Sequence, residues 1–343
     1  MVTKEVWDIE VFKQRMMKTF PEIRMRRLRR TDALRRLFDM ELPGPAKWMW
    51  PVFVVEGAGR REAIGAMPGQ FRLSVDELIK DLEPVAQAGI GGVLVFGQVD
   101  SGQKDAAGSA ALDDRLAVHR AVREIKRRYP GLVVMTDVCL CAYTSHGHCG
   151  PLTAGGEVDN DASLEMLRRV ALSHAAAGAD GVAPSAMMDG QVAAIRSALE
   201  ESGFQQTLIM SYSTKFASSM YGPFRDAEQS SPQSGDRRGY QASYGDLRQA
   251  LRESDLDEAE GADILMVKPA LFYLDVITRL RERTDLPIAA YNVSGEYSML
   301  LATAERGWGD LKGMVRESMT AISRAGADIL ISYWAGRYAE IVK

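Results

Sequence analysis

The stretch Glu260-Gly261-Ala262-Asp263-Ile264-Leu265-Met266-Val267-Lys268 contains the pattern that decides the fold. Gly261 is suited to ending a helix, and the small residues around it allow a strand to begin close by. Related Ala-Gly-Ala-Asp junctions precede the apolar runs that follow 177–180 and 325–328. Because this junction recurs where a helical pattern gives way to an apolar run, it predicts parallel β/α units.

From position 50 onward, short apolar runs alternate with longer helical patterns. The predicted strands are 51–56, 92–96, 132–138, 180–184, 208–213, 263–268, 288–293 and 328–334. The predicted helices include 74–88, 114–128, 162–177, 191–201, 245–261 and 271–283. About eight such units over about 290 residues fit a (β/α)8 TIM barrel better than an open doubly wound sheet. No Gly-x-Gly-x-x-Gly follows the first strand, which disfavours a dinucleotide-binding domain.

Residues 1–45 are polar and arginine-rich, and they end with the breaker Pro43-Gly44-Pro45. We therefore expect an extended N-terminal arm over 1–45, outside a barrel that spans 46–343. The basic cluster at 24–30 is better suited to a solvated or subunit-contacting arm than to a nucleic-acid surface.

Composition excludes several classes of protein. The 343 residues are 46% hydrophobic and 26% charged, and the net charge is −4. The chain therefore lacks the excess of positive charge that is typical of nucleic-acid-binding proteins. No apolar run approaches the roughly 20 residues of a membrane span, and 1–10 lacks the apolar segment of a signal peptide. We expect a cytoplasmic protein with no membrane partner. The three cysteines, an odd number within 139–149, argue against a disulfide framework.

Two lysines follow buried apolar runs. Lys215 comes after the run that begins at Leu208, and Lys268 ends the run that begins at Ile264. A lysine is costly to bury, so such a residue is either exposed at a strand tip or held neutral for chemistry. Two lysines that face one pocket would lower each other's pKa and provide two nucleophilic amines for Schiff-base catalysis on ketones.

Barrel enzymes place their chemistry at the carboxyl ends of the strands. Reading off those ends gives a predicted polar rim of Asp137, Ser185, Lys215, Lys268, Ser294 and Tyr333. Any one of these residues alone could equally be a satisfied strand-end polar group. Their coincidence at one rim favours a functional site.

The loop Asp137-Val138-Cys139-Leu140-Cys141-Ala142-Tyr143-Thr144-Ser145-His146-Gly147-His148-Cys149 concentrates soft metal ligands at a strand end. Cys139 and Cys141 point the same way on an extended segment, and the glycine-containing turn can bring Cys149 back to them. Three thiolates and one open position suit a zinc ion that also binds water or substrate. His146 and His148 could be ligands, could support the ligands, or could do neither. Alternatively, the three cysteines are reduced thiols that bind no metal and take no part in catalysis.

Residues 221–244 lie between the two lysine-bearing strands and are rich in glycine, proline and serine. This composition argues against a helix, and a long loop at this place is usually an active-site lid. Arg225 and Arg237 within it could bind a substrate carboxylate. Alternatively, the loop faces solvent and its arginines contact nothing.

Taken together, these segments closely resemble the porphobilinogen synthase (5-aminolevulinate dehydratase) family over essentially the whole chain. The resemblance is carried by the cysteine loop and by four further motifs: Val182-Ala183-Pro184-Ser185, Lys215-Phe216-Ala217-Ser218-Ser219 running into Tyr221-Gly222-Pro223-Phe224-Arg225-Asp226, Met266-Val267-Lys268-Pro269, and Val293-Ser294-Gly295-Glu296-Tyr297. The resemblance implies condensation of two 5-aminolevulinate molecules to porphobilinogen, with loss of two waters, on the way to haem and other tetrapyrroles.

The family's site residues carry over as expectations. Lys268 would form the Schiff base with the substrate that binds first, and Lys215 would hold the second. The first substrate's carboxylate is expected to meet Ser294 and Tyr333, and the second substrate's carboxylate is expected to meet Arg225, Arg237 and Gln241. Tyr221, Phe224 and Ser185 would form the rest of the pocket, and Asp137 would orient groups or shuttle protons. Zinc would be bound by Cys139, Cys141 and Cys149.

The resemblance also implies a homo-octamer, in which the N-terminal arm wraps a neighbouring subunit. Many bacterial members carry an activating magnesium at a subunit interface, and its glutamate ligand matches Glu253 here. Taken alone, Glu253 would be an ordinary exposed helical residue.

Some positions depart from the family pattern, among them Ala186, Asn292 and 242–246. These departures leave a second hypothesis, in which the chain is a divergent paralogue that acts on a related amino-ketone. Another Schiff-base lyase or aldolase would need one reactive lysine, and the cysteine loop argues against it. A catalytically silent homologue is expected to lose a lysine or a thiol, and neither loss is seen.

Overall fold

The computed structural model describes residues 19–342, and within them a closed parallel barrel dominates. The strands are β1 Trp48–Val54, β2 Arg61–Ala63, β3 Phe71–Leu73, β4 Gly92–Gly97, β5 Val133–Val138, β6 Gly181–Pro184, β7 Leu208–Lys215, β8 Ile264–Lys268, β9 Ile288–Asn292 and β10 Ile329–Ser332. Eight of them pair in parallel in the order β1, β4, β5, β6, β7, β8, β9, β10. Pairing of Trp48 with Leu330 closes the ring, so the predicted TIM barrel is confirmed.

The described residues also form α-helices. They are Asp32–Phe38, Val75–Gln87, Ala117–Arg128, Asn160–Ala176, Gln191–Glu201, Gly222–Glu228, Leu247–Ala259, Leu274–Arg281, Ser294–Glu305, Leu311–Arg324 and Tyr338–Val342. The predicted helix 271–283 begins as a 3-10 turn at Leu271–Tyr273 before its α-helical part. The predicted strand 328–334 ends at Ser332, because Tyr333–Arg337 forms a 3-10 turn.

The hairpin of β2 and β3 was not predicted. Each strand has three residues, too short a run for periodicity to be visible. β3 pairs in parallel with the end of β1.

The chain divides into two units with a boundary between Glu41 and Leu42. The boundary lies close to the expected end of the arm at 45. Part of the predicted arm, residues 1–18, lies outside the described residues. The first unit contains the helix Asp32–Phe38, which Thr31 caps. Its contacts with other subunits stay a prediction. None of the described helices is long and apolar enough to cross a membrane.

The recurring aspartates of the sequence join neighbouring strands. The carboxylate of Asp263 accepts the backbone N–H of Ile209 at 2.7 Å and pairs with Arg196. Asp180 and Asp328 do the same for the strands that begin near Val134 and Ile288. The glycine two residues before each aspartate has a positive φ, a conformation that non-glycine residues seldom adopt. The junction therefore ends a helix and fixes the start of the neighbouring strand.

We expect Asp263→Ala to lower the free energy of unfolding by about 1 kcal/mol, because it leaves the N–H of Ile209 without its acceptor. Urea denaturation followed by circular dichroism measures this. Glu258→Ala, an exposed change on the adjacent helix, is the control and should stay within about 0.5 kcal/mol of the unsubstituted chain. Equal midpoints for the two variants would contradict the role given to the aspartate.

Candidate active site

The predicted polar rim forms at one end of the barrel. Asp137 lies near the end of β5, and Ser185 follows β6. Lys215 and Lys268 are the last residues of β7 and β8. Ser294 and Tyr333 follow β9 and β10. All six side chains therefore come from the carboxyl ends of adjacent strands, as the sequence predicts.

A β-bulge brings the two lysines side by side. Ser211 pairs with Leu265, but Thr214 pairs with Val267, so three steps along β7 match two along β8. Without the extra residue, Thr214 would stand opposite Lys268. With it, Lys215 is the direct partner of Lys268. Bulges are a common means of redirecting a side chain beside an active site.

Lys268 lies in an aromatic enclosure. Its Nζ is 4.3 Å from the ring centroid of Tyr291, 4.7 Å from that of Phe224 and 5.0 Å from that of Tyr212. The side chain is 3% exposed. Burial and the neighbouring positive charge of Lys215 lower the pKa of Lys268 to about 7. About half of this amine is therefore neutral and nucleophilic at neutral pH, roughly a thousandfold more than for a lysine in water.

Lys215 has more polar surroundings. Its Nζ donates a hydrogen bond of 2.5 Å to the carbonyl oxygen of Ser185 and lies 5.4 Å from the ring centroid of Tyr212. Its own carbonyl accepts the N–H of Ala242 at 3.0 Å. Ala242, near the end of the lid, thus pairs with the strand that carries this lysine. The departure from the family pattern at 242–246 begins at this contact.

Asp137 is a partly buried carboxyl that interacts with the charges of both amines, and its Oδ1 is buried. Burial raises its pKa to about 6 against the attraction of Lys215, which acts in the opposite direction. Its Oδ1 has no hydrogen-bond partner among the described residues. A carboxyl with a free oxygen and a pKa near neutrality can accept a proton and return it.

The three cysteines form one buried cluster. Their sulfurs lie within 4.8 Å of one another, and the sulfurs of Cys139 and Cys141 are 3.4 Å apart. Hydrogen bonds from Cys139 and Cys141 lower the pKa of the Cys149 thiol, with help from Arg237 and Lys215. A tetrahedral ion with zinc–sulfur bonds of about 2.3 Å separates its sulfurs by about 3.8 Å. The cluster therefore fits a thiolate-bound metal with small adjustments.

The two histidines of the cysteine loop are occupied elsewhere. His148 contacts the hydroxyl of Tyr240 and the carbonyl of Ser234. His146 contacts the carbonyl of Ala106 and accepts the N–H of His148. Their rings hold the cysteine loop against the lid and neighbouring loops. Neither ring belongs to the described group of three cysteine sulfurs.

The lid contains a helix, and the expectation that its composition excludes one was wrong. Gly222–Glu228 is α-helical with a proline in its first turn, and Gln229 ends it with a φ of 48°. The N–H of Phe224 donates to the Ser294 hydroxyl at 2.9 Å. The Tyr221 hydroxyl donates to the carbonyl of Lys268 at 3.1 Å. These bonds hold the helix over the lysine pocket.

Three polar side chains of the lid have buried atoms without a hydrogen-bond partner among the described residues. Arg237 donates to the carbonyls of Gly147 and Ser230, but its Nε has no partner among the described residues. The same is true of Nε in Arg225 and of both amide atoms in Gln241. Buried polar groups without partners are costly. Their convergence indicates a place for an anionic or polar ligand.

The opposite side of the pocket has a complete hydrogen-bond network. The hydroxyls of Tyr333 and Tyr291 are 3.1 Å apart. Asn292, a departure from the family pattern, donates to Glu296 and accepts from the Ser332 hydroxyl. Ala186, another departure, is fully buried. Both fit their places in the fold without removing a reactive group.

Glu253 lies apart from the lysines. It lines a cavity of about 790 Å³ with Asp189, Tyr240 and Gln241. Burial and the charges of Asp189 and Glu260 raise its pKa. Neither Lys215 nor Lys268 lines this cavity, so the predicted magnesium site would lie apart from the two lysines.

Sequence reasoning missed Glu228. This last residue of the lid helix is buried, and its Oε2 lies 3.4 Å from the sulfur of Cys141. Burial and the negative charge of Cys141 raise its pKa well above the usual range. No local pattern marks it, because its partner lies 87 positions away.

Comparison with known proteins finds relatives over most of the chain. The sequence profile of the delta-aminolevulinic acid dehydratase family matches residues 22–341. The delta-aminolevulinic acid dehydratase of Methanothermobacter thermautotrophicus is 53% identical over 318 residues, which cover 92% of this chain and 96% of that protein. The Escherichia coli enzyme of that name is 51% identical over 317 residues, covering 92% and 97%.

A solved structure is similar over almost the same span. Delta-aminolevulinic acid dehydratase (porphobilinogen synthase) from Toxoplasma gondii, in complex with the reaction product porphobilinogen, matches with a TM-score of 0.90 at 41% identity. The match covers 93% of this chain and 91% of that one. Since profile, relatives and structure agree over nearly the full length, the chain belongs to the delta-aminolevulinic acid dehydratase family.

Proposed function

We propose that this chain is a lyase that condenses two 5-aminolevulinate molecules to porphobilinogen and two waters. The observation that carries the proposal is the pair of buried amines, Lys215 and Lys268, set opposite each other by the bulge in β7. Each amine can bind one ketone as a Schiff base, so one pocket can hold both substrates. Holding both replaces a rare bimolecular encounter with a positioned one.

Lys268 is the amine best prepared for attack. Its aromatic enclosure and the charge of Lys215 favour the neutral form. The amine adds to the ketone of the first substrate and water leaves, which gives a protonated imine. The positive charge of this iminium acidifies the adjacent carbon, so that a carbanion equivalent can form there.

Lys215 holds the second substrate across the strand pair. Asp137, with its unpaired oxygen, is placed to take the proton released from carbon and to return it when water departs. Formation of one carbon–carbon and one carbon–nitrogen bond then closes the pyrrole ring. The two amines are released as their imines are exchanged or hydrolysed.

The carboxylates of the two substrates would lie on opposite sides of the pocket. Arg225, Arg237 and Gln241 carry unpaired buried donors suited to the second carboxylate. The hydroxyls of Ser294 and Tyr333 would bind the first, in exchange for part of their present bonding to Phe224 and Tyr291. Tyr221, Phe224 and Ser185 form the remaining wall.

Cys139, Cys141 and Cys149 would hold a zinc ion, to which their separation and thiol chemistry are suited. When bound there, zinc supplies a Lewis acid that polarises a carbonyl or lowers the pKa of a water. Asp137 lies two residues before this cluster, and its proton transfers would take place beside it.

The assembly and location of the chain follow from the family resemblance. We propose a cytoplasmic homo-octamer in which the arm contacts a neighbouring subunit. Its exposed apolar side chains support this, among them Phe20, Leu37 and Phe38. Magnesium at Glu253 remains a further expectation of that resemblance.

Incubation of the zinc-loaded chain with 5-aminolevulinate should give porphobilinogen, measured by the pyrrole colour reaction. Lys268→Ala should reduce the rate at least about a thousandfold, because the attacking amine is lost. Lys312→Ala, an exposed lysine change, is the control and should leave the rate unchanged. A chain that forms no pyrrole, or a Lys268→Ala variant with full activity, would contradict the proposal.

Imine formation at Lys268 should depend on pH in a specific way. The neutral amine attacks, so the rate of borohydride-trapped adduct with levulinate should rise tenfold per pH unit below about 7 and level off above it. Levulinate has the substrate's ketone and carboxylate but lacks its amine. Lys215→Met removes the neighbouring charge that lowers this pKa, so the midpoint should move to higher pH. Peptide mapping identifies the site; a rate that still climbs near pH 10 in the unsubstituted chain would oppose this account.

A further inference from the structure

Glu228 is a buried carboxyl group without an ion-pair partner among the described residues. It is 3% exposed, and its Oε2 accepts a hydrogen bond of 3.1 Å from the Ser230 hydroxyl. The same oxygen lies 3.4 Å from the sulfur of Cys141. Carboxylates are seldom fully buried unless they are paired or coordinate a metal. The position of Glu228 against the cysteine cluster favours coordination.

The separation of Glu228 Oε2 from Cys141 Sγ suits two ligands of one metal ion. The described group whose ligand atoms all lie within 4.8 Å of one another contains only the three cysteines, so Glu228 would move toward Cys139 and Cys149 on binding. A tetrahedral zinc with a sulfur ligand at about 2.3 Å and a carboxylate oxygen at about 2.0 Å sets those ligand atoms about 3.5 Å apart. The observed 3.4 Å between Cys141 Sγ and Glu228 Oε2 matches this edge. We propose that Glu228 is the fourth protein ligand of the ion held by Cys139, Cys141 and Cys149. The inference rests on the thiolate metal site proposed above.

Positive groups surround this part of the lid and offset the added charge. Three thiolates and a carboxylate around a divalent ion carry a net charge of −2. Arg237 donates to the carbonyl of Ser230, two residues past Glu228. Lys104 Nζ donates to the carbonyl of Gln229, the next residue, at 2.9 Å. Lys215 adds a third cation that also acts on Cys149.

A glutamate ligand at this position would couple metal binding to the lid. The helix Gly222–Glu228 carries Phe224 into the aromatic enclosure of Lys268. Glu228 ends the same helix, so one bond to the ion fixes its far end over the pocket. The metal would then help to hold the lid closed over the pocket.

The test compares three proteins: the unsubstituted chain, Glu228→Gln, and Asp226→Asn as the control. Asp226 is an exposed carboxylate on the same helix. Zinc affinity is measured by chelator competition, and the ligand field by the visible bands of bound Co²⁺. Glu228→Gln should weaken zinc binding at least about tenfold and change the Co²⁺ bands, because a ligand is lost. Asp226→Asn should match the unsubstituted chain in both.

Hydrogen exchange over 221–244 supplies a second readout. Zinc should protect this segment in the unsubstituted chain and in Asp226→Asn, and protect it less in Glu228→Gln. If circular dichroism shows that Glu228→Gln does not fold, Glu228→Asp replaces it. The shorter side chain withdraws the oxygen, so the same changes are expected to a smaller degree.

Equal zinc affinity and equal Co²⁺ bands for Glu228→Gln and the unsubstituted chain would overturn the inference and leave the thiolate site intact. Glu228 would then be only a hydrogen-bonded neighbour of Cys141. An unsubstituted chain that binds no zinc would overturn the thiolate site and this inference together. The pyrrole assay stands apart from both results.

Discussion

The structure depends on burying two amines beside each other. Burial and the neighbouring charge of Lys215 oppose a second positive charge on Lys268, so the neutral form of Lys268 is favoured. For Lys268 the lowering of the pKa from 10.5 to about 7 corresponds to a preference of about 5 kcal/mol for the neutral amine relative to water. Aromatic rings, the β7 bulge and the closed barrel together impose this state. The reactivity of the site follows from an arrangement that opposes protonation.

The lid and the cysteine cluster surround these amines from the other side. Phe224 connects the lid to Lys268, and Glu228 connects the same helix to Cys141. Arg225 and Gln241 of the lid carry buried donors without partners among the described residues. A site with so many unsatisfied polar groups is costly when empty and gains most when an anionic ligand enters. The proposed site would therefore favour a substrate that has both a ketone and a carboxylate.

Much of the barrel and of its rim could be predicted from the sequence, because apolar runs and repeated Gly-Ala-Asp junctions are local signals. The bulge in β7 could not, since only pairing with β8 reveals the extra residue. The lid helix was missed although Pro223 suits a first helical turn, because the serine and glycine content outweighed that signal. Glu228 acquires its meaning only from a partner brought close by the fold. Local patterns thus predict the scaffold, while contacts between distant segments determine the fine chemistry.

The central claim is that one pocket holds a ketone on each of two adjacent lysines. The most direct measurement is intact-mass analysis and peptide mapping of the chain after saturation with levulinate and reduction with borohydride. The account predicts two equivalents per chain, one on Lys215 and one on Lys268. A single equivalent on Lys268 alone, or label on exposed lysines instead, would contradict it.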